Sequence, residues 1–222
     1  MVKSAVDLLE PCLHYEVEKV VASSSTPIYD VAQEFPTTER QNSYHNRTLY
    51  GAANAFNEGL LRTFNDVRAG LHCPQILQRL WESQGRPWSL RRGAHPLDEA
   101  PAGRSVANHT GQRTMEFVHV RDMARANILG AKSEVIDEAF NIASGRETSL
   151  AQFARALPMA MDRTGLDPEF AAQRSVNPVP RRLASMGKAV RLPGFQAEIP
   201  LNWWRAQRHL LVVPREPEVI AP

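Results

Sequence analysis

Two hydroxyl-bearing residues, Ser25 and Tyr50, stand where a strand pattern ends and a helical pattern begins, and together they could move a proton. Ser25 closes a β-branched run that starts at Val20 and passes into a serine cluster. Tyr50 opens a helical run, and the fourth residue after it, on the same helix face, is Asn54. A free tyrosine has a pKa of about 10 and acts as a base near neutral pH only when a cation lowers that value. Asn54 carries no charge, so it cannot supply this effect.

Helical and strand patterns alternate along the chain, which predicts an α/β fold with parallel pairing. The predicted strands are residues 19–25, 116–120 and 139–143. The predicted helices are residues 1–17, 49–64, 123–132 and 150–164, with a last one around residues 203–210. We expect Asp122 to cap the third helix and Thr148 or Ser149 to cap the fourth. His119, among apolar neighbours, is interpreted as a hydrogen-bonded core histidine.

The predicted elements divide the chain into four parts. Residues 1–71 carry the Ser/Tyr pair, and residues 112–213 carry the last strand patterns and helices. Residues 72–111 are rich in Arg, Pro, Gly, Gln and His and follow neither the helical nor the strand period, so we predict a disordered block there. The Pro-rich residues 214–222 are predicted to be a disordered tail.

Several motifs in fixed order resemble the NAD-dependent epimerase/dehydratase family of extended short-chain dehydrogenases, and most closely UDP-glucose 4-epimerases. They are the serine cluster at 23–25, Arg-Thr-Leu-Tyr-Gly-Ala at 47–52, Glu-Phe-Val-His-Val-Arg-Asp at 116–122, Phe-Asn-Ile-Ala-Ser-Gly at 140–145, and Asn-Pro-Val-Pro-Arg-Arg at 177–182. The resemblance implies the C-terminal part of a Rossmann-type, doubly wound parallel sheet.

The resemblance also implies site residues and ligands. In that family a serine and a Tyr-x-x-x-Lys motif perform the proton chemistry while NAD takes the hydride. These roles fall on Ser25 and Tyr50, and Asn54 stands in the place of the lysine. Arg174 matches the arginine that holds the UDP pyrophosphate, so a UDP-hexose is the implied substrate. Members of the family are often homodimers.

The family's Gly-rich turn, which sets a helix N-terminus on the NAD pyrophosphate, has no counterpart in this sequence. We therefore expect an N-terminally truncated, incomplete sheet that does not bind NAD. The strands at 19–25 and 139–143 are then expected to lack the strand that separates them in the family.

Residues 72–111 have a specific interpretation, a shift of reading frame. Residues 75–83 can be encoded so that the same bases, read one position later, give Arg-Tyr-Phe-Asn-Val-Tyr-Gly-Ser, which resembles the family's next strand. Residues 93–111 allow the same offset. The alternative is a divergent polar insertion.

The function that follows is a truncated nucleotide-sugar epimerase without catalytic activity. Two alternatives remain: a pseudoenzyme that binds nucleotide sugars through Arg174 and residues 177–182, and a non-functional gene remnant.

The composition argues against nucleic-acid-binding, membrane-spanning and metal-binding proteins. The 222 residues carry a net charge of +2 with scattered basic residues, which does not indicate nucleic-acid binding. No apolar run has the roughly 20 residues that a membrane span needs. The two cysteines, Cys12 and Cys73, have no pairing or metal-binding spacing. Together these features predict a cytoplasmic protein without a metal.

Overall fold

The fold is known from a computed structural model of the chain. It describes residues 2–15, 17–42, 46–67, 75–80, 104–107, 112–160, 167–170 and 179–201, of which residues 13, 65, 67, 75–80, 104–107, 157–160 and 167–170 are described by their backbone alone. In chain order the helices are α1 (Val2–His14), α2 (Leu49–Val67), α3 (Val120–Lys132), α4 (Leu150–Ala160) and α5 (Gly187–Arg191). The strands are β1 (Val20–Ser25), β2 (Gln75–Leu80), β3 (Arg104–Ala107), β4 (Thr114–Glu116), β5 (Glu138–Ile142), β6 (Glu147–Ser149) and β7 (Asp167–Phe170).

A three-stranded parallel sheet in the order β1-β2-β5 forms the centre of the fold. Ser25 pairs with Leu80, and Leu80 pairs with Ile142, so the three strands end at the same edge. Two small sheets accompany it: β3 pairs in parallel with β7, and β4 pairs antiparallel with β6. The α/β class and the incomplete Rossmann-type sheet that the sequence predicts are confirmed.

Side chains of β5 alternate between two cores, as the two-residue period of a strand requires. Phe140 and Ile142 are buried in one cluster with Met123 of α3 and Phe195. Ala139 points to the opposite face and packs with Leu9 of α1 and Leu61 of α2. Helices therefore cover both faces of the sheet, which is the arrangement that parallel sheets need.

The middle strand differs from the expectation for residues 72–111. We predicted a disordered block there and an empty place between the two strands that flank it, yet β2 fills that place and β3 lies farther along the block. The expectation is wrong for these two strands. The backbone N–H and C=O groups of β2 pair with β1 and β5, and pairing between segments distant in sequence leaves no signal in the local sequence pattern. The rest of the block, the predicted last helix and the Pro-rich tail lie outside the described residues.

Element boundaries elsewhere follow the prediction with two corrections. The predicted strand 116–120 is observed only as far as Glu116, because His119 already occupies the N-cap position of α3 and its Nδ1 accepts a hydrogen bond from Arg121 N at 3.1 Å. The cap that we assigned to Asp122 is thus made by His119, which is buried and hydrogen-bonded as expected. Ser149 does cap α4, since its Oγ accepts from Gln152 N at 3.1 Å and Gln152 Oε1 accepts from Ser149 N at 2.8 Å.

Candidate functional site at the carboxyl edge of the sheet

Ser25 lies at the end of β1, where the chain turns into a short 3₁₀ helix, Thr26–Tyr29. Its backbone is extended, with φ −149° and ψ 149°, and its hydroxyl makes no capping bond to that helix. Proline at the start of the helix fixes the turn, because its ring sets φ and it has no N–H that would need a partner. The Ser25 hydroxyl is therefore not used by the local backbone.

Tyr50 lies in the first turn of α2, and the start of α2 docks on the same 3₁₀ helix. Asn46 donates its side-chain amide to Pro27 O and accepts from Thr48 N at 2.9 Å. Thr48 Oγ1 in turn accepts from Gly51 N at 3.0 Å, which caps the helix start. The Tyr50 side chain is 49% exposed. Ser25 and Tyr50 are thus held on either side of one docking contact, although they are far apart in sequence.

The contact between α2 and the 3₁₀ helix is so close at Gly51 that a larger residue there would disturb it. A Cβ at position 51 would lie 2.5 Å from Pro27 O, whereas a Cβ at Gly59, farther along the same helix, would meet nothing within 4 Å. We expect Gly51→Ala to lower the free energy of unfolding by about 1–3 kcal/mol through overpacking. Gly59→Ala should raise it by up to about 1 kcal/mol, because alanine favours the helix.

Urea unfolding of the two variants is the measurement, and each serves as the control of the other. If Gly51→Ala stabilised the chain as much as Gly59→Ala, α2 would not be docked on Pro27 in this way.

Asn54 occupies the position at which a cation would be needed to lower the pKa of a tyrosine base, and its side chain is hydrogen-bonded to the helix backbone. It is 4% exposed, and its Nδ2 donates to Tyr50 O, the carbonyl one helical turn before it, at 2.8 Å. An amide bound to its own helix backbone supplies no positive charge to the tyrosine ring. Asn54 therefore bonds to its own helix and does not lower the pKa of a tyrosine as a cation would.

A cleft of about 480 Å³ opens at the carboxyl end of β5. Its walls are the loop of Ser144, Gly145 and Arg146 on one side and Gln196 to Leu201 on the other, with Phe117 at the side. Within the described part of the chain, the Arg146 guanidinium has no ion pair. The volume lies within the range of small-molecule sites, and the rim offers hydroxyls and one cation.

Asp122 fixes the far wall of this cleft. Its Oδ2 accepts from Ile199 N at 2.9 Å and from Glu198 N at 3.2 Å, and Arg125 Nη2 donates to its Oδ1 at 2.9 Å. Burial alone would raise the pKa of Asp122, but these hydrogen bonds and the Arg125 charge hold the pKa below its usual value. The carboxylate thus stays ionised and holds the backbone of the cleft wall.

The residues expected to bind a nucleotide sugar, Arg174 and residues 177–182, are described only in part. Arg174 lies outside the described residues. Arg181 forms a two-pronged ion pair with Glu147, with Nε–Oε1 at 2.8 Å and Nη2–Oε2 at 2.9 Å, and stacks on the Phe35 ring at 4.8 Å. That pair lowers the pKa of Glu147 below its usual value. Arg182 is buried and also has an interaction partner.

Comparison with known proteins decides the family. The family model described as "NAD dependent epimerase/dehydratase family" matches residues 1–143, more than half of the chain. The chain belongs to this family. No curated protein matches it significantly. The match to the family model confirms the resemblance found in the sequence.

Solved structures of the family share the fold. UDP-glucose 4-epimerase from Thermotoga maritima, solved with UDP-glucose, superposes with a TM-score of 0.76 at 24% identity, over 93% of this chain and 69% of the other. UDP-N-acetylglucosamine 4-epimerase from Methanobrevibacter ruminantium M1, solved with UDP-N-acetylmuramic acid, gives 0.77 at 20% identity, over 92% and 68%. MoeE5, solved with UDP-glucose and NAD, gives 0.72 at 25% identity, over 92% and 68%.

Sequence reasoning missed two buried polar residues of this epimerase-family chain, Glu116 and Asn141, both inside motifs that we interpreted as strands. Both are fully buried. Asn141 Oδ1 accepts from Tyr29 OH at 2.7 Å, and its Nδ2 donates to Thr37 O at 2.9 Å. A polar residue flanked by Phe or Ile in a core strand was the available signal, since such a group is buried only with partners.

The described residues contain no helix long and apolar enough to cross a membrane. In the same part of the chain, no cluster of three His, Cys, Asp or Glu residues is arranged to hold a metal ion.

Proposed function

We propose that this chain is a catalytically inactive member of the nucleotide-sugar epimerases, with Ser25 and Tyr50 as the remaining parts of the proton-transfer site. The single observation that carries the proposal is the state of Asn54. A base at this site needs a cation beside the tyrosine, and the residue at that position is a buried, neutral amide bound to Tyr50 O.

The described residues do not fit NAD as the family uses it. The lysine of the family motif holds the nicotinamide ribose, and the short Asn54 side chain is turned back to its own helix. The sequence also offers no Gly-rich turn for the pyrophosphate. We therefore derive no hydride step for this chain.

A second candidate, a protein that binds nucleotide sugars without converting them, is favoured by the cleft beside β5. The cleft opens at the carboxyl edge of the sheet, where ligands of open α/β folds bind, and Arg146, which has no ion pair among the described residues, could meet a phosphate there. Five of the similar structures were solved with UDP-sugars or their analogues. Arg174 is the further residue that we propose for the pyrophosphate, whereas Arg181 is occupied by Glu147.

Calorimetric titration of the purified chain tests both candidates. We expect no heat of binding with NAD at millimolar concentration, for the wild type and for Asn54→Lys alike. A micromolar dissociation constant for NAD would contradict the inactive assignment. Titration with UDP-glucose separates the second candidate: binding that is lost in Arg146→Ala and kept in Arg62→Ala, an exposed arginine paired with Asp137, supports it. Equal binding by both variants would exclude the cleft.

A further inference from the structure

A segment of extended chain from Val179 to Met186, here called the strap, crosses two parts of the fold. Pro180 O accepts from Thr114 N of β4 at 3.1 Å. Farther along, Thr37 N donates to Leu183 O at 2.8 Å and Ser185 N donates to Thr37 O at 2.8 Å. The strap therefore joins the small β4-β6 sheet to the loop that follows the 3₁₀ helix.

Glu116 fastens the strap to the rim of the cleft. Its side chain is completely buried. Oε2 accepts from Ala184 N of the strap at 2.8 Å, and Oε1 accepts from Gly145 N, in the loop after β5. Gly145 also lines the cleft. One carboxylate thus connects two segments that are far apart in sequence.

We propose that Glu116 is a proton-controlled latch, which ties the strap to the cleft rim as a carboxylate and releases one of the two segments when it takes up a proton. The chemistry follows from the acceptor count. A carboxylate offers an acceptor oxygen to each of the two N–H groups, whereas a carboxyl group turns one oxygen into a donor. Two backbone N–H groups cannot both be served at full strength by the neutral form.

The latch operates near neutral pH. Burial raises the pKa of Glu116 from 4.5 to about 7, although the backbone N–H groups of Ala184, Gly145 and Arg146 oppose the rise. The negative charge of Glu147 on β6 raises it further. Because the folded state holds the proton more tightly than the unfolded chain, the net stabilisation from this group is complete below about pH 4.5, where no charge is buried. It is lost as the pH rises through about 7, where the buried carboxylate makes both bonds but is poorly solvated.

Other charged groups lie near Glu116, and the titration of each must be distinguished from that of Glu116. Arg181 on the strap is paired with Glu147, and Arg182 is buried beside it. At the start of α3, burial lowers the pKa of His119, against the field of Asp122. The pKa of His119 therefore lies below its ordinary value, and so does the pKa of Asp122.

The test is a pH titration of the backbone amide signals of Gly145 and Ala184 by ¹⁵N–¹H NMR on the full chain. We expect both signals to move together with one midpoint near pH 7, while the amide of Val190, bonded within α5 to Met186 O, stays fixed. In Glu116→Gln both signals should be flat over this range. In Glu147→Gln the midpoint should fall, since the repelling charge is gone.

Three outcomes would overturn the latch. They are amide signals that do not move between pH 5 and 9, signals that still titrate in Glu116→Gln, and a midpoint that does not fall in Glu147→Gln. Should Glu116→Gln fail to fold, the wild-type titration and the Glu147→Gln midpoint still decide. The result is independent of whether NAD or a UDP-sugar binds.

Discussion

Asn141→Ala is expected to lower the free energy of unfolding by about 1–3 kcal/mol, because two buried groups each lose a hydrogen bond to its side chain. Tyr29 OH would lose an acceptor at 2.7 Å, and Thr37 O would lose a donor at 2.9 Å. Both residues are buried, so water does not readily replace the lost bonds. Urea unfolding at constant pH measures the effect.

Two further variants make the Asn141 result interpretable. Tyr29→Phe removes only the hydroxyl and should cost about 1–3 kcal/mol, since the Asn141 oxygen loses the hydrogen bond from Tyr29. Asn127→Ala, on the partly exposed side of α3, should cost little or nothing, because alanine suits a helix interior. A loss for Asn141→Ala no larger than that for Asn127→Ala would show that the network around Asn141 does not hold the sheet edge.

Elements with a strong local pattern could be predicted from the sequence. The β-branched run that ends at Ser25, the helix that begins at Leu49 and the strand around Phe140 were all expected and are all observed. The strand around Phe140 buries the apolar residues that predicted it, whereas in α2 Leu49 and Phe56 are exposed and Asn54 and Leu61 are buried. The family assignment followed from motifs that these elements carry, and it is confirmed.

The middle strand could not be predicted, because its place is set by its neighbours. The sequence of Gln75–Leu80 shows no clear period, yet parallel pairing with β1 and β5 satisfies its backbone. The proposal that residues 72–111 are read out of frame stays a prediction.

Some residues of the candidate site could be found from the sequence, and others could not. Ser25, Tyr50 and Asn54 were chosen from residue type and spacing; Ser25 ends β1 and the other two lie in α2, and their role in a site stays a prediction. Glu116 was not found, because its two partners, Gly145 N and Ala184 N, lie on segments distant in sequence. Its altered pKa follows from burial, which a one-dimensional pattern does not reveal.

The second large effect concerns catalysis, where the expected result is none. With NAD supplied, the chain should not convert UDP-glucose to UDP-galactose, because a neutral residue, Asn54, stands where a cation would have to lower the pKa of the tyrosine. Asn54→Lys should not restore conversion either, since the sequence lacks the Gly-rich turn that would hold the cofactor. Removing one general base typically costs 10²- to 10⁴-fold, and losing the hydride acceptor as well removes the reaction altogether.

The most direct test is an overnight incubation of the purified chain with UDP-glucose and NAD, with UDP-galactose quantified by chromatography against an enzyme-free blank. Tyr50→Phe and Asn54→Lys are run beside the wild type. The proposal predicts that all three are indistinguishable from the blank. UDP-galactose formed by the wild type and abolished by Tyr50→Phe would contradict it, and would show that this site catalyses epimerisation with an asparagine in place of the lysine.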